Sequence, residues 1–183
     1  WVGDNLISKM PDHSPKTIVD LGCGTGHFSK SIIDKFPDAC YTGIDLSEGM
    51  VGYAKSHHSS GCQWVTGDAD SLPFKTNSID LIFSSLAIQW CSDLSLLMTE
   101  IQRVLSPNGY FVFSTLLDGS LKELKAAWAG VDENQHVNDF FLKDDYYNAA
   151  LDSGLKTELL SKDTKVLRYQ KLTELMKELK GLG

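Results

Sequence analysis

Val19-Asp20-Leu21-Gly22-Cys23-Gly24-Thr25-Gly26 is an apolar run that ends in an acid and then places a glycine at every second position. Thr17–Leu21 reads as a short buried strand, and Phe28, Ile32, Ile33 and Phe36 recur behind the glycines at helical spacing until Pro37. Between strand and helix, Gly22, Gly24 and Gly26 let the main chain turn tightly and come close to a ligand without side-chain clash. The first N–H groups of the helix are free to meet that ligand. A dinucleotide fingerprint would put its third glycine at position 27, where this chain has His27, so a nicotinamide dinucleotide fits less well than another nucleotide-like ligand.

The same strand-then-helix alternation continues outward. Strands are expected at 41–45, 62–66, 80–84 and 110–115, with helices between them begun by Ser47 and by Ser92 or Asp93. The second of these helices carries Leu94, Leu97, Met98, Ile101, Val104 and Leu105 on one side, and Pro107-Asn108-Gly109 turns the chain into the fifth strand. This is the pattern of an α/β fold, a doubly wound, Rossmann-like and mostly parallel sheet covered on both faces. After Thr115 the pattern changes. Ser120-Leu121-Lys122-Glu123 reads as a capping box opening a helix through Trp128, and the polar, aromatic-rich stretch 132–141 reads as part of an insertion over the site. A helix from Asp144 or Asp145 to Gly154, a long strand or bent hairpin over 155–169 and a short amphipathic helix over 172–179 complete the chain. The expected organisation is a single domain, with a ligand-binding core over 1–115, a helical cover over 116–154, and a late strand with a basic helix over 155–183.

Composition narrows the function classes. The 183 residues are 42% hydrophobic and 22% charged, and no apolar run approaches the ~20 residues that span a bilayer. No basic segment precedes an apolar stretch at the N-terminus, so a soluble, cytoplasmic protein is expected. Cys23, Cys40, Cys62 and Cys91 lack metal-ligand spacing and read as reduced thiols; no metal is expected. The net charge of -7 disfavours a nucleic-acid partner. Charge is uneven, however: residues 154–183 carry seven Lys and Arg against four Asp and Glu.

In a doubly wound sheet, residues just past successive strands converge on the ligand. Asp45, closing the second strand, offers two acceptor oxygens to a pair of ribose hydroxyls. Asp68, past the third, can accept from an adenine amino group while Ala69 offers its amide, and Leu46 and Met50 can flank the ring. Asp20 and the backbone around Gly22, Cys23 and Ser84 to Leu86 then face the opposite end of the ligand, whereas Asp70 reads as a surface loop acid.

Asp-Leu-Gly-Cys-Gly-Thr-Gly, Gly-Ile-Asp-Leu-Ser, Gly-Asp-Ala and Arg-Val-Leu-Ser-Pro-Asn-Gly together resemble the class I S-adenosylmethionine-dependent methyltransferases over 17–115. Further segments are similar to the malonyl-[acyl-carrier protein] O-methyltransferases of biotin synthesis. These are Ser84-Ser85-Leu86-Ala87-Ile88-Gln89-Trp90-Cys91, Phe113-Ser114-Thr115-Leu116, Ala127-Trp128, His136-Val137-Asn138 and Leu179-Lys180-Gly181-Leu182-Gly183. The resemblance implies S-adenosylmethionine as cofactor and an acidic acyl carrier protein, bearing a malonyl thioester, as partner. It also implies an N-terminal helical segment and a closing strand, so the chain reads as cut at both ends. A malonyl carboxylate, with a free-acid pKa near ~4, is ionised at neutral pH and needs no general base. Gln89, Trp90, Thr115, His136 and Asn138, with Phe141, are the expected substrate-positioning residues. Trp90 and Trp128 read equally well as core, and His136 as a capped loop histidine. Lys156, Lys162, Lys165, Arg168 and Lys171 are the expected carrier-docking residues. The alternatives are a small-molecule, quinone-type methyltransferase and a non-catalytic adapter that keeps the fold.

Overall fold

The computed structural model describes residues 2–11, 14–58, 61–131 and 136–179. The core alternates β1 (Thr17–Leu21), α2 (Ser29–Lys35), β2 (Cys40–Asp45), α3 (Glu48–His57), β3 (Gln63–Thr66), β4 (Ile79–Ser85), α4 (Leu94–Val104) and β5 (Leu105–Ser114), with a helix α1 (Val2–Ser8) in front. Every pairing is parallel and the strand order is β3-β2-β1-β4-β5. The chain therefore winds outward from β1 through β3, then crosses back to lay β4 on the other side of β1. That reversal leaves a crevice beyond the carboxyl ends of β1 and β4, the place where doubly wound sheets take ligands.

Alternation along each strand feeds two cores. Val19, Leu21, Ile44 and Ile82 pack on one face under Leu97, Met98, Ile101 and Val104 of α4, the stripe legible in the sequence. Ile18, Tyr41, Leu81 and Phe83 pack on the other with Ile32, Phe36 and Met10. Asp93 caps α4 by accepting the Leu96 N–H at 3.0 Å. α1, not expected from the sequence, is seated on this second face through Leu6 and Ile7. Its Gly3 leaves room for the Phe28 ring, which would stand 2.1 Å from an added Cβ.

Three expectations need correction. β5 starts at Leu105, not at 110, because Leu105 already pairs with Ile79 before the register shifts to Tyr110 opposite Leu81. The Pro107-Asn108-Gly109 turn is thus a bulge inside the strand, with Asn108 at φ 66°. The Ser120 capping box does not form: α5 (Lys122–Ala129) begins after Leu121 at φ 56° with no side-chain cap. Two left-handed residues, Gly119 and Leu121, turn the chain so that Ser120 closes a turn onto the Leu117 carbonyl instead. Residues 155–169 form no strand and are exposed almost throughout. Their β-prone side chains meet no strand edge among the described residues, and an unpaired strand has no ladder to hold it. α6 (Lys143–Asp152) and α7 (Leu172–Leu179) lie as expected, Gly154 ending the former at φ 89°. Residues 132–135 of the expected insertion lie outside the described residues.

One clamp ties the loop after β3 to α4. Arg103 donates to the Phe74 and Leu72 carbonyls at 2.9 and 3.0 Å and to Glu100, whose other contact is the Leu72 N–H at 2.9 Å. Arg103→Met removes four charge-assisted hydrogen bonds, two of them to Glu100, and leaves two carbonyls short of a donor. We expect it to cost about 2 kcal/mol and to lower Tm by ~4–8 °C in a melt followed by circular dichroism; an unchanged melt would refute the clamp.

Candidate functional site

The parallel register sets Asp20 beside Phe83 and Asp45 beside Thr66, so the tips of β1, β2, β3 and β4 open at one end of the sheet. The glycine loop folds over this end. Gly22 sits at φ 72° and sends its N–H to the Ile44 carbonyl at 2.8 Å; a Cβ there would lie 2.2 Å from that of Ala87. Cys23 donates to the same carbonyl at 3.0 Å, and Gly26 closes a tight turn by donating to the Cys23 carbonyl at 2.9 Å. Gly24, at φ 54°, is different: an added Cβ there meets nothing within 4 Å. At that point the loop presents bare backbone to open space.

Asp45 fastens the loop. Its Oδ2 accepts the Gly24 N–H at 2.8 Å and its Oδ1 accepts the Ser47 N–H at 2.9 Å, which leaves further acceptor capacity on both oxygens. Ser47 in turn caps α3 by accepting the Met50 N–H at 3.4 Å. Just beyond, Leu46 is 71% exposed and Met50 36% exposed, two apolar side chains left uncovered beside the carboxylate. Asp68 is exposed and folds its own loop by accepting the Asp70 N–H at 3.0 Å, with Ala69 half-buried between them. Asp70 is not the surface acid expected. It is half-buried, its Oδ1 is shut from solvent without a partner among the described residues, and burial together with Asp68 and Asp93 pushes its carboxyl up.

Asp20 lies deeper, 2% exposed, and accepts a hydrogen bond from the Tyr41 hydroxyl at 2.7 Å. Burial pushes its pKa up to about 7; the charge of Asp45 adds to the rise and the Tyr41 hydrogen bond opposes it. Cys23 is a buried thiol pushed up by the same desolvation. Ser84 spends its hydroxyl on the Leu21 carbonyl at 2.8 Å, tying β4 to β1. Leu86 follows at φ 53°, a left-handed backbone unusual for a branched side chain, held by its N–H to the Ser114 carbonyl at 2.9 Å.

Of the expected substrate-side residues, Gln89 and Thr115 come together. Gln89 donates from Nε2 to the Leu86 carbonyl at 2.6 Å, Thr115 Oγ1 donates to Gln89 Oε1 at 3.5 Å, and the Tyr146 hydroxyl of α6 lies 3.1 Å from Thr115. Nothing in the sequence marks Tyr146, because two adjacent tyrosines in a polar helix give no sign of which one turns inward. Trp90, on a single 3-10 turn over Ile88–Trp90, is 55% exposed and is not core. His136 and Asn138 are exposed, and His136 stacks on Trp128 with ring centroids 4.0 Å apart. Phe141 packs on Tyr146. Lys156, Lys162, Lys165, Arg168 and Lys171 are all exposed along the stretch without regular structure. No group of His, Cys, Asp and Glu among the described residues could hold a metal ion.

A bare backbone cradle at Gly24, a carboxylate with spare lone pairs and two uncovered apolar side chains suit an adenosyl ligand. Comparison with known proteins agrees. Residues 19–113 match the family described as a methyltransferase domain. Over its whole length the chain is 40% identical to a malonyl-[acyl-carrier protein] O-methyltransferase of Hahella chejuensis, of which it spans 65%. It is 38% identical to the biotin biosynthesis bifunctional protein BioHC of Cellvibrio japonicus and spans 36% of it. Among solved structures, an S-adenosylmethionine dependent methyltransferase from Mesorhizobium loti superposes with TM-score 0.57 at 35% identity, over 62% of this chain and 53% of that one. The chain belongs to the S-adenosylmethionine-dependent methyltransferase family.

Proposed function

We propose that this chain binds S-adenosylmethionine in the crevice and transfers its methyl group to the free carboxylate of a malonyl thioester carried by an acyl carrier protein, an early step of biotin synthesis in the cytoplasm. The observation that carries the cofactor half is the open face of Gly24 beside Asp45. The acceptor half rests on 40% identity, over the whole length of this chain, to a relative named for that acceptor. Asp45 would take the ribose hydroxyls, Asp68 and Ala69 the adenine edge, Leu46 and Met50 its faces, and Asp20 with the backbone of Gly22, Cys23, Gly26, Ser84 and Leu86 the amino-acid end.

When bound, the cofactor supplies an electrophilic methyl on a positively charged sulfur. An ionised malonyl oxygen could take that methyl with no proton transfer, so the chain's own residues would need to supply no base. A cation and an anion are both neutralised, so what the protein must do is exclude water and align the two partners; orientation alone is worth ~7–11 kcal/mol. The Gln89–Thr115–Tyr146 chain suits this, because a fixed network holds the acceptor side of the cleft without supplying a base. Trp90, His136 and Asn138 would close above it.

Labelled S-adenosylmethionine and malonyl carrier protein should yield a base-labile methyl ester. Label on a quinone instead would favour the small-molecule reading, and no heat of cofactor binding by calorimetry would leave only an adapter.

Asp20 gives a second test. In the free protein its raised pKa, about 7, keeps it mostly protonated at pH 6. A cofactor ammonium beside it needs the carboxylate, so binding releases a proton and affinity rises with pH up to about 7, then levels. Calorimetry should show about tenfold tighter binding at pH 8 than at pH 6, and Asp20→Asn should flatten the profile.

For the carrier, reversing Lys165 and Arg168 to Glu should raise KM for malonyl carrier protein ~10-fold while turnover of malonyl coenzyme A stays unchanged. Equal losses on both substrates would remove the docking role.

A further inference from the structure

His58 follows the last turn of α3, 33 residues beyond the loop it touches, and nothing in the sequence marks it. Its Nε2 lies 2.8 Å from the Thr25 carbonyl. A carbonyl only accepts, so that nitrogen carries the proton and donates. Its Nδ1 lies 3.3 Å from Ser29 Oγ, which itself donates to the Gly26 carbonyl at 2.7 Å. The ring leans on Trp64, centroids 5.5 Å apart, and both rings occupy the volume a side chain at 26 would need: an added Cβ would stand 2.9 Å from the imidazole and 2.5 Å from the indole.

We infer that His58 is a positioning residue for the cofactor loop, setting the plane of the Thr25–Gly26 peptide through the hydrogen bond to the Thr25 carbonyl. A trans peptide points its N–H opposite to its C=O. Holding the Thr25 oxygen outward therefore aims the Gly26 N–H back at the Cys23 carbonyl, and that bond closes the turn which presents the open face of Gly24. Asp45 fixes the near side of the loop and His58 the far side. With the bond gone, Gly24 and Gly26 are free to sample other backbone conformations, and the cofactor must order them on binding. His58 touches none of the residues assigned to the acceptor, Gln89, Thr115 and Tyr146, so the loss falls on cofactor affinity and not on the chemical step.

This inference rests on the cofactor proposed above, so wild-type binding of S-adenosylhomocysteine is measured first by calorimetry, alongside His58→Ala, His58→Gln and His58→Phe. Gln keeps an N–H donor within reach of the Thr25 carbonyl; Phe keeps the ring against Trp64 and lacks the donor. Ala and Phe should weaken binding about 5- to 10-fold, the range of one net hydrogen bond, and raise KM for S-adenosylmethionine in step while kcat stays within about twofold. Gln should restore affinity to within about twofold of wild type. Should the Ala variant fail to fold, the Gln and Phe pair decides the matter alone. Wild-type affinity in Phe, or a loss in Gln as large as in Phe, overturns the role of the hydrogen bond. A wild-type protein that takes up no S-adenosylhomocysteine overturns the cofactor reading and this inference with it.

Discussion

Asp45 accepts one N–H from each side of the crevice, Gly24 from the loop after β1 and Ser47 from the start of α3. Both donors are main-chain groups that would otherwise lack a partner at the end of a strand and the beginning of a helix. The carboxylate is thus a structural joint before any ligand arrives, and its remaining lone pairs face the same opening as the bare backbone of Gly24. Remove the joint, and the loop loses its fixed distance from β2. The carboxylate tips of the other strands would then have no common target.

That arrangement depends in turn on a sheet with both faces buried. Because Ile18, Leu81 and Phe83 pack on one side while Val19, Leu21, Ile44 and Ile82 pack on the other, the strands cannot slip by one residue without exposing a whole row. Register is therefore fixed, and fixed register brings Asp20, Asp45 and Asp68 to one edge. Strain is accepted where the chain leaves β4. Leu86 in a left-handed conformation costs about 1 kcal/mol or more, and its N–H and carbonyl are each held, by Ser114 and by Gln89. The same Gln89 leads through Thr115 to Tyr146, so the exit from β4 and the covering helix α6 share one chain of hydrogen bonds.

The parts legible in the sequence were those written in local spacing. Periodicity placed the strands and α4, and three alternating glycines after an acid located the loop; side-chain capping by Ser47 and Asp93 was equally plain. What escaped depends on partners distant along the chain. α1 has only seven residues, so its seat on the second core is what reveals it. Residues 155–169 have the composition of a strand, but composition does not supply a neighbour to pair with. Asp70 looked like any loop acid because its burial comes from the fold of 68–74 against α4, and His58 like any surface histidine because its carbonyl partner lies before α2. The candidate cofactor residues come to one edge because each follows a strand, a position legible in the sequence; the contact of Thr115 with Tyr146 on the other side of the crevice is long-range and has no local sign.

Gly43 and Trp64 face each other across β2 and β3, and an added Cβ on Gly43 would stand 2.5 Å from the indole. Gly43 has no unusual backbone angle; it is glycine for want of room. The two positions therefore share a volume, and drift at one is conditional on drift at the other: a slimmer ring at 64, with the Cys23 sulfur at 3.0 Å giving by a few tenths of an ångström, would admit alanine at 43. Gly26, whose φ is 80°, has no such freedom whatever stands at 64. Among descendants of a common ancestor, 43 and 64 should change as a couple while 26 stays put, a pattern of linked substitution that arises from steric exclusion beneath the loop and not from any contact with what the loop holds.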